Sequence, residues 1–285
     1  MKILLLASGS YLLAVFLNVL TSVLIKYLHI NSDLNLNQIV AIRTMLAMFM
    51  LTPFMAGKLK IINKKHIKLV ILTGSLACLD IYLWHYGASI IPINNAVVVS
   101  FLVPILITFF ACVILKEPLY LGSIIALIVA FCAINLIYQI TPNVSSFGYF
   151  VLIADFTAGA LGFVLTKKLT SFYSPLLIVY LKICVVLPIA CALIGSMPIF
   201  TVYSFIFIFI CSIIYILERY LLTLAYKLHD MGPLQPLRFF NILFSFILSY
   251  LILKEMINVW QIIVAFMIIF ANLINIFYKT KIIKI

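Results

Sequence analysis

Eight side chains that can carry a full charge sit inside long apolar runs: Arg43, Asp80, His85, Asp155, Lys182, Glu218, Arg219 and Arg238. An ionisable group at the centre of a bilayer costs about 2.5–3.5 kcal/mol on insertion scales. Several of them facing lipid would together cost on the order of 20 kcal/mol, more than a typical net fold stability. They must therefore face one another or a watery interior. Their chemistry is that of recognition. An arginine holds a carboxylate through paired N–H donors, a carboxylate receives an amino or other cationic group, and aromatic faces stack against cations.

Helical spacing sorts these residues into faces. Over 233–254, read as an α-helix, Gln235, Arg238, Asn241, Ser245 and Ser249 fall within an arc of roughly 120°. Arg238 is the only charge of that stripe and Phe239 is its neighbour. Over 94–115, Asn94, Ser100 and Thr108 make a similar stripe, with Ser100 at the place of Arg238. Ser212, Tyr215, Glu218, Arg219 and Tyr226 share one face; Asp80, Trp84 and, further round, His85 share another. Asn18, Ser22 and Lys26 line up in the first run, and Asp155 stands beside Gly159 and Gly162.

These faces predict one cavity. Arg238 holds a substrate carboxylate, and Asp80, Asp155 or Glu218 receives a cationic group. Trp84, Tyr215 and Phe239 supply aromatic surface, and Gln235, Asn241, Ser100 and Asn18 supply polar lining. The competing reading is that the charges pair with one another and lock the helices. For Arg43 and Lys182, in the second run of each half of the chain, such a structural role is the expectation. His85 is read as a proton relay or as a satisfied buried histidine. Glu117 and Glu255 end their runs beside a lysine as boundary or gate residues. Gly159 and Gly162, with Ala154 and Ala158, allow close helix packing.

The elements that must carry these residues are membrane spans. Of 285 residues, 66% are apolar and 9% charged, against about 45–50% and 25% in a soluble domain. At about 20 residues per crossing this is material for nine or ten helices. A separate soluble catalytic domain, a disordered chain and a nucleic-acid-binding domain are excluded on that composition. The apolar runs cover 4–28, 37–56, 67–90, 94–115, 119–138, 147–167, 174–194, 200–227, 233–254 and 258–278. Between them lie Gly57 and its lysines, Pro92, Lys116-Glu117-Pro118, Pro142-Asn143, Ser174-Pro175, Gly195 with Pro198, Gly232-Pro233 and Lys254-Glu255. Residues 1–20 have signal-peptide character, but the apolar run continues to Leu28, so the segment reads as a span. The six cysteines all fall inside apolar runs without metal-ligand spacing, as small apolar fillers. Neither a metal nor another cofactor is expected.

The net charge of +12 belongs to topology, not to an acidic partner. With the N-terminus on the cytoplasmic side, that side collects Lys2, Lys58, Lys60, Lys64, Lys65, Lys68, Lys116, Lys167, Lys168, Lys227, Lys279, Lys281 and Lys284. The opposite side has Lys254 and Lys26. Both termini are thus expected inside, with an even number of spans.

The chain also matches itself at an offset of 138–141 residues. Val23-Leu-Ile-Lys-Tyr-Leu28 matches Val164-Leu-Thr-Lys-Lys-Leu169, and Ile39-Val-Ala-Ile-Arg43 matches Ile178-Val-Tyr-Leu-Lys182. Leu79-Asp-Ile-Tyr-Leu83 matches Leu217-Glu-Arg-Tyr-Leu221, and Ile114-Leu-Lys-Glu117 matches Ile252-Leu-Lys-Glu255. Five spans per unit is an odd number, so the second unit starts on the other side and the halves are inverted, as in many secondary transporters. The expectation is an all-α polytopic membrane protein with ten transmembrane helices in two inverted five-helix repeats, 1–140 and 145–285.

Two five-helix units, each with a run ending in Leu-Lys-Glu, resemble the drug/metabolite transporter superfamily, in its EamA-domain group. Pro104…Leu115-Lys-Glu117 and Pro236-Leu-Arg-Phe239…Leu253-Lys-Glu255 carry the likeness. Tyr86-Gly…Ile91-Pro92…Val98-Val-Ser-Phe101 and Pro236-Leu-Arg238 are similar to bacterial S-adenosylmethionine uptake transporters. The resemblance implies a multi-pass protein of the bacterial inner membrane that takes up S-adenosylmethionine, in exchange for a related metabolite, by alternating access. No GxxxxGK[ST] loop for ATP occurs in the chain. Alternatives are export of amino acids or other metabolites, a passive channel, and intramembrane aspartyl proteolysis with Asp80 and Asp155, although neither lies in a Gly-x-Gly-Asp context. The expected partners are a small-molecule substrate and the lipid bilayer, without nucleic acid; a homodimer is left open.

Overall fold

Apolar runs with no water to satisfy their backbone fold as helices, because each N–H and C=O then bonds within its own segment. The computed structural model follows this rule. It describes residues 2–55, 57–90, 100, 102–120, 124–125, 128, 132, 146–195, 201–254, 263, 266 and 282–283. Its helices are α1 (Lys2–Ile30), α2 (Leu36–Met55), α3 (Lys64–Ile90), α4 (Leu102–Phe110), α5 (Ser146–Leu169), α6 (Pro175–Ala192), α7 (Val202–Leu228) and α8 (Phe240–Leu248). Pro175 opens α6 at a position whose N–H needs no partner. Thr201 caps α7 by accepting the Ser204 N–H at 3.1 Å. Leu119–Tyr120 and Ile282–Ile283 form a two-residue antiparallel pairing.

Seven of these segments are long and apolar enough to cross a bilayer, from Ile3–Ile30 to Gly232–Leu253, and Leu102–Leu115 is a shorter apolar helix. Phe49, Phe150, Val202 and Leu5 lie largely exposed, a surface suited to lipid tails and not to water. The chain is a multi-pass membrane protein. Most of the expected spans over 119–138 and 258–278, and most of 91–101, lie outside the described residues.

The helix pairings come in exchanged sets. The most extensive are α1 with α7 and α3 with α5; α4 packs on α5 and α8 on α1; α2 packs on α7 and α3 on α6; α2 and α6 face each other. Exchanging α1 with α5, α2 with α6, α3 with α7 and α4 with α8 turns each of these pairings into another of the set. The packing of α6 on α7 has no counterpart of similar extent among the described residues.

A second parallel is local. A π-turn over Ala111–Leu115 follows α4 and ends on Lys116 at φ 56°, and one over Ser249–Leu253 follows α8 and ends on Lys254 at φ 58°. Each lysine N–H bonds back to the first carbonyl of its π-turn, Ala111 O and Ser249 O. A left-handed backbone at a non-glycine residue costs on the order of 1–3 kcal/mol, so the same strained ending at matched positions is not a default of apolar sequence.

One expectation fails here. Residues 233–254 are not a continuous α-helix. Gly232–Phe239 winds as a 3-10 helix before α8 begins. Pro233 and Pro236 each remove an N–H donor, and a proline inside an α-helix clashes with the carbonyl four residues back. The polar stripe drawn on α-helical spacing over Gln235–Asn241 therefore does not hold as one arc.

Candidate functional site

Small residues of α5 leave room for side chains of α3 in the core. A Cβ on Gly159 of α5 would lie 2.1 Å from Asp80 Oδ1 of α3, and one on Gly162 would lie 3.3 Å from Leu76 Cβ. The expected packing role of these glycines is met, and Gly159 does one thing more. Its missing side chain leaves the space that the Asp80 carboxylate occupies.

Two chambers with shared walls lie beside that carboxylate. The first encloses about 640 Å³, including open space at its mouth, and is lined by α3, α5, α6 and α7. Asp80, Gly159, Thr166, Lys182, Tyr215 and Arg219 set its polarity. The second encloses about 460 Å³ on the same measure and is lined by α1, α3, α5, α7, the 3-10 segment and α8. Its polar lining is Tyr11, Asn18, Asp80, Glu218, Arg219, Arg238 and Asn241. Asp80, Phe163, Arg219 and Leu222 line both chambers.

The charges are spread, not paired off. Arg219 Nε lies 2.9 Å from Glu218 Oε2, and this is the one acid–base contact of ion-pair length in the cavity among the described residues. Arg43 lies 4.4 Å from the Tyr215 ring centroid and Arg219 5.5 Å from it, so the tyrosine ring serves two cations. Arg238 lies 5.1 Å from the Phe163 ring centroid. Lys182 Nζ donates to Thr166 Oγ1 at 3.1 Å. Asp155 is 1% exposed and its Oδ1 has no hydrogen-bond partner among the described residues. Internal pairing thus accounts for one acid and one base of the cluster.

The predicted site residues divide accordingly. Asn18, Asp80, Glu218, Arg238 and Asn241 line the second chamber, and Tyr215 lines the first together with Asp80. Gln235 is fully buried, accepts from the Tyr11 hydroxyl at 3.4 Å and donates to Met231 O at 3.3 Å. Phe239 is buried at 1% exposure. Trp84 packs against Phe156, with ring centroids 6.0 Å apart. Ser100 is half-buried and lines neither chamber. The His85 side chain and Asn94 lie outside the described residues. Lys182, expected like Arg43 in a peripheral structural role, instead lines the first chamber, because α6 packs on both α3 and α7. Tyr11, Phe163 and Thr166 are further lining residues that hydropathy and charge alone do not single out.

A separate polar junction lies where several helices end. Glu117 Oε2 accepts the Met231 N–H at 2.6 Å, and Glu117 Oε1 lies 3.7 Å from Lys167 Nζ. Lys167 in turn donates to the His229 carbonyl. Burial pushes the Glu117 carboxyl up from its ordinary value, while Lys167 and the Met231 N–H pull it the other way. On the same face the Tyr173 hydroxyl accepts the Asn63 N–H at 3.1 Å and lies 3.2 Å from His66 Nδ1. The ends of α4, α5 and α7 and the start of α3 thus meet at one end of the bundle. Glu255, the other expected boundary residue, lies outside the described residues.

Comparison with known proteins adds to this geometry. Residues 2–139 match the EamA-like transporter family. An S-adenosylmethionine uptake transporter of Rickettsia bellii (strain RML369-C) is 29% identical over 192 residues, which cover 65% of this chain. The match spans 64% of that relative's length. A protein crystal structure at 11% identity superposes with a TM-score of 0.75, covering 97% of each chain; at that identity the likeness concerns the fold alone.

Proposed function

We propose that the protein is a secondary transporter that moves a small zwitterionic metabolite across a bacterial inner membrane by alternating access, without ATP. The observation that carries this reading is the cavity, where acids and bases stand on shared walls and mostly do not pair. An unpartnered charge in an apolar interior is costly, and a bound zwitterion completes both signs at once. Asp80 and Glu218 receive the cationic group, while Asp155, proposed with them from the sequence, lies buried outside the lining of both chambers. Arg238, Asn18 and Asn241 face the polar remainder from the second chamber, and Tyr215 offers an aromatic wall. Gln235 and Phe239 support that chamber from the 3-10 segment, with Trp84 behind Phe156 and Ser100 on the neighbouring span.

The architecture proposed is ten spans in two inverted repeats, 1–140 and 145–285, with both termini cytoplasmic. The exchanged helix pairings, the paired π-turns 138 residues apart and the lysine asymmetry support it. S-adenosylmethionine is the substrate proposed first, as the named cargo of the Rickettsia relative. Its α-amino acid head and sulfonium suit a site with acids and bases together. Uptake, with exchange for a related metabolite, is the proposed direction; export of an amino acid is the second reading, on the same bipolar cavity. A counterflow screen in proteoliposomes tests this. Labelled S-adenosylmethionine should accumulate transiently when unlabelled compound is preloaded, and saturate. Flux that neither saturates nor shows counterflow would indicate a channel.

A further inference from the structure

We propose that Lys182, and not Arg238, is the cation that takes the carboxylate of the zwitterionic substrate. This rests on the reading of the cavity as a substrate site. Four cations are candidates. Arg43 is buried against Tyr215 and lines neither chamber. Arg219 is held by Glu218 at 2.9 Å. Arg238 has Phe163 against its guanidinium and shares its chamber with Glu218 and Asp80. Lys182 is different: its polar partner is the neutral Thr166 hydroxyl, and among the described residues no carboxylate lies within ion-pair distance.

The Thr166 hydroxyl donates its proton to the Gly162 carbonyl at 2.7 Å, so toward Lys182 it can only accept. That bond anchors the ammonium to α5 and leaves two of its three N–H donors for the chamber. The first chamber is lined by Lys182 and Arg219 against Asp80 alone, and so carries an excess of positive charge. Glu218, which offsets the arginines, lines the second chamber. An anion therefore gains most beside Lys182. Asp80 lines the same chamber, set into the gap left by Gly159. An α-amino acid carries its carboxylate and ammonium on one carbon. Lys182 and Asp80 in one chamber match that head group, whatever side chain the substrate carries into the second chamber.

Matched ligand pairs that differ only in the carboxylate test the assignment. Thermal melts of the purified full-length protein in detergent give affinities for S-adenosylmethionine and its decarboxylated form, methionine and 3-(methylthio)propylamine, arginine and agmatine, and lysine and cadaverine. At least one pair should show a preference of roughly tenfold or more for the carboxylate member. Lys182→Met should bring that ratio close to one, Lys182→Arg should keep most of it, and Arg238→Met should weaken both members alike. Lys182→Gln serves as the neutral variant if Lys182→Met does not melt cooperatively. A wild-type protein that prefers no carboxylate member overturns the proposal. A ratio preserved in the neutral Lys182 variants, or lost in Arg238→Met, overturns it too. If another pair shows the preference and S-adenosylmethionine does not bind, the substrate reading fails and the Lys182 assignment stands.

Discussion

The junction at Glu117 and the cavity around Asp80 treat charge in opposite ways. At the junction, Glu117 and Lys167 engage each other and the backbone of His229 and Met231, so helix ends are satisfied inside the protein. In and around the cavity, Arg43, Lys182, Arg219 and Arg238 stand with Asp80, Asp155 and Glu218, and among the described residues only Glu218 and Arg219 approach to ion-pair distance. The junction matches its carboxylate to a lysine and a backbone N–H within the protein; the cavity leaves most of its charges without such a match. Within a membrane the second arrangement is the costlier one, and a charged ligand is what offsets it. Polar residues of one chain thus separate into those that hold the fold and those that wait for cargo.

Substitutions at two glycines of α3 and α5 should sharpen that contrast most. Gly159→Ala places a Cβ 2.1 Å from Asp80 Oδ1, the swinging end of a side chain. The fold should tolerate it with little change in Tm. Uptake should fall by about a hundredfold, the order of loss expected when a key group is displaced by about 1 Å. Gly74→Ala meets Val185 Cβ at 2.5 Å, an atom that cannot swing aside. It should lower stability by about 1–3 kcal/mol, read as a lower Tm, while uptake per folded molecule is retained. If Gly159→Ala lowers Tm as much as Gly74→Ala and spares uptake, the Asp80 carboxylate serves packing and not cargo.

The junction itself offers two smaller effects. Glu117→Ala leaves the buried Met231 N–H without its acceptor and should cost about 1–3 kcal/mol of stability, with ligand affinity unchanged in thermal titrations. Glu117→Gln should act mainly through pH. Burial raises the Glu117 carboxyl, and Asp230 adds to that, against Lys167 and the amides of Met231 and Gly232. The folded chain then holds this proton more tightly than the unfolded one. Wild-type stability should decline as pH rises from the ordinary glutamate value through the raised one, and stay level above it. The glutamine variant should lack that decline, as measured by Tm across the range.

Much of this is legible in the residues, and the exceptions have physical causes. Hydropathy marks α1, α2, α3, α5, α6 and α7 to within a few residues, because long apolar runs have one way to satisfy their backbone in lipid. Asp80, Glu218, Arg238 and Asn241 are readable as inward-facing from the cost of turning them to lipid. The winding of Gly232–Phe239 is not, although Gly232, Pro233 and Pro236 signal it, because hydropathy does not distinguish a 3-10 from an α turn. Regular α-helical spacing puts Gln235 on the cavity wall, with Phe239 beside Arg238 as aromatic surface, and the structure buries both. Lys182 departs from expectation for another reason. A position in the second helix of a unit looks peripheral in sequence, and only the packing of α6 on α3 and α7 turns it inward.

The central claim is that a bound zwitterion completes the charges of the cavity, and Asp80, which lines both chambers, is where that claim is most exposed. Uptake of labelled S-adenosylmethionine into proteoliposomes, wild type beside Asp80→Asn, tests it directly. The expected result is saturable uptake, competed by unlabelled compound, that falls by about a hundredfold or more in the variant while its Tm without ligand is held or raised. Saturable uptake that is unchanged in Asp80→Asn would contradict it.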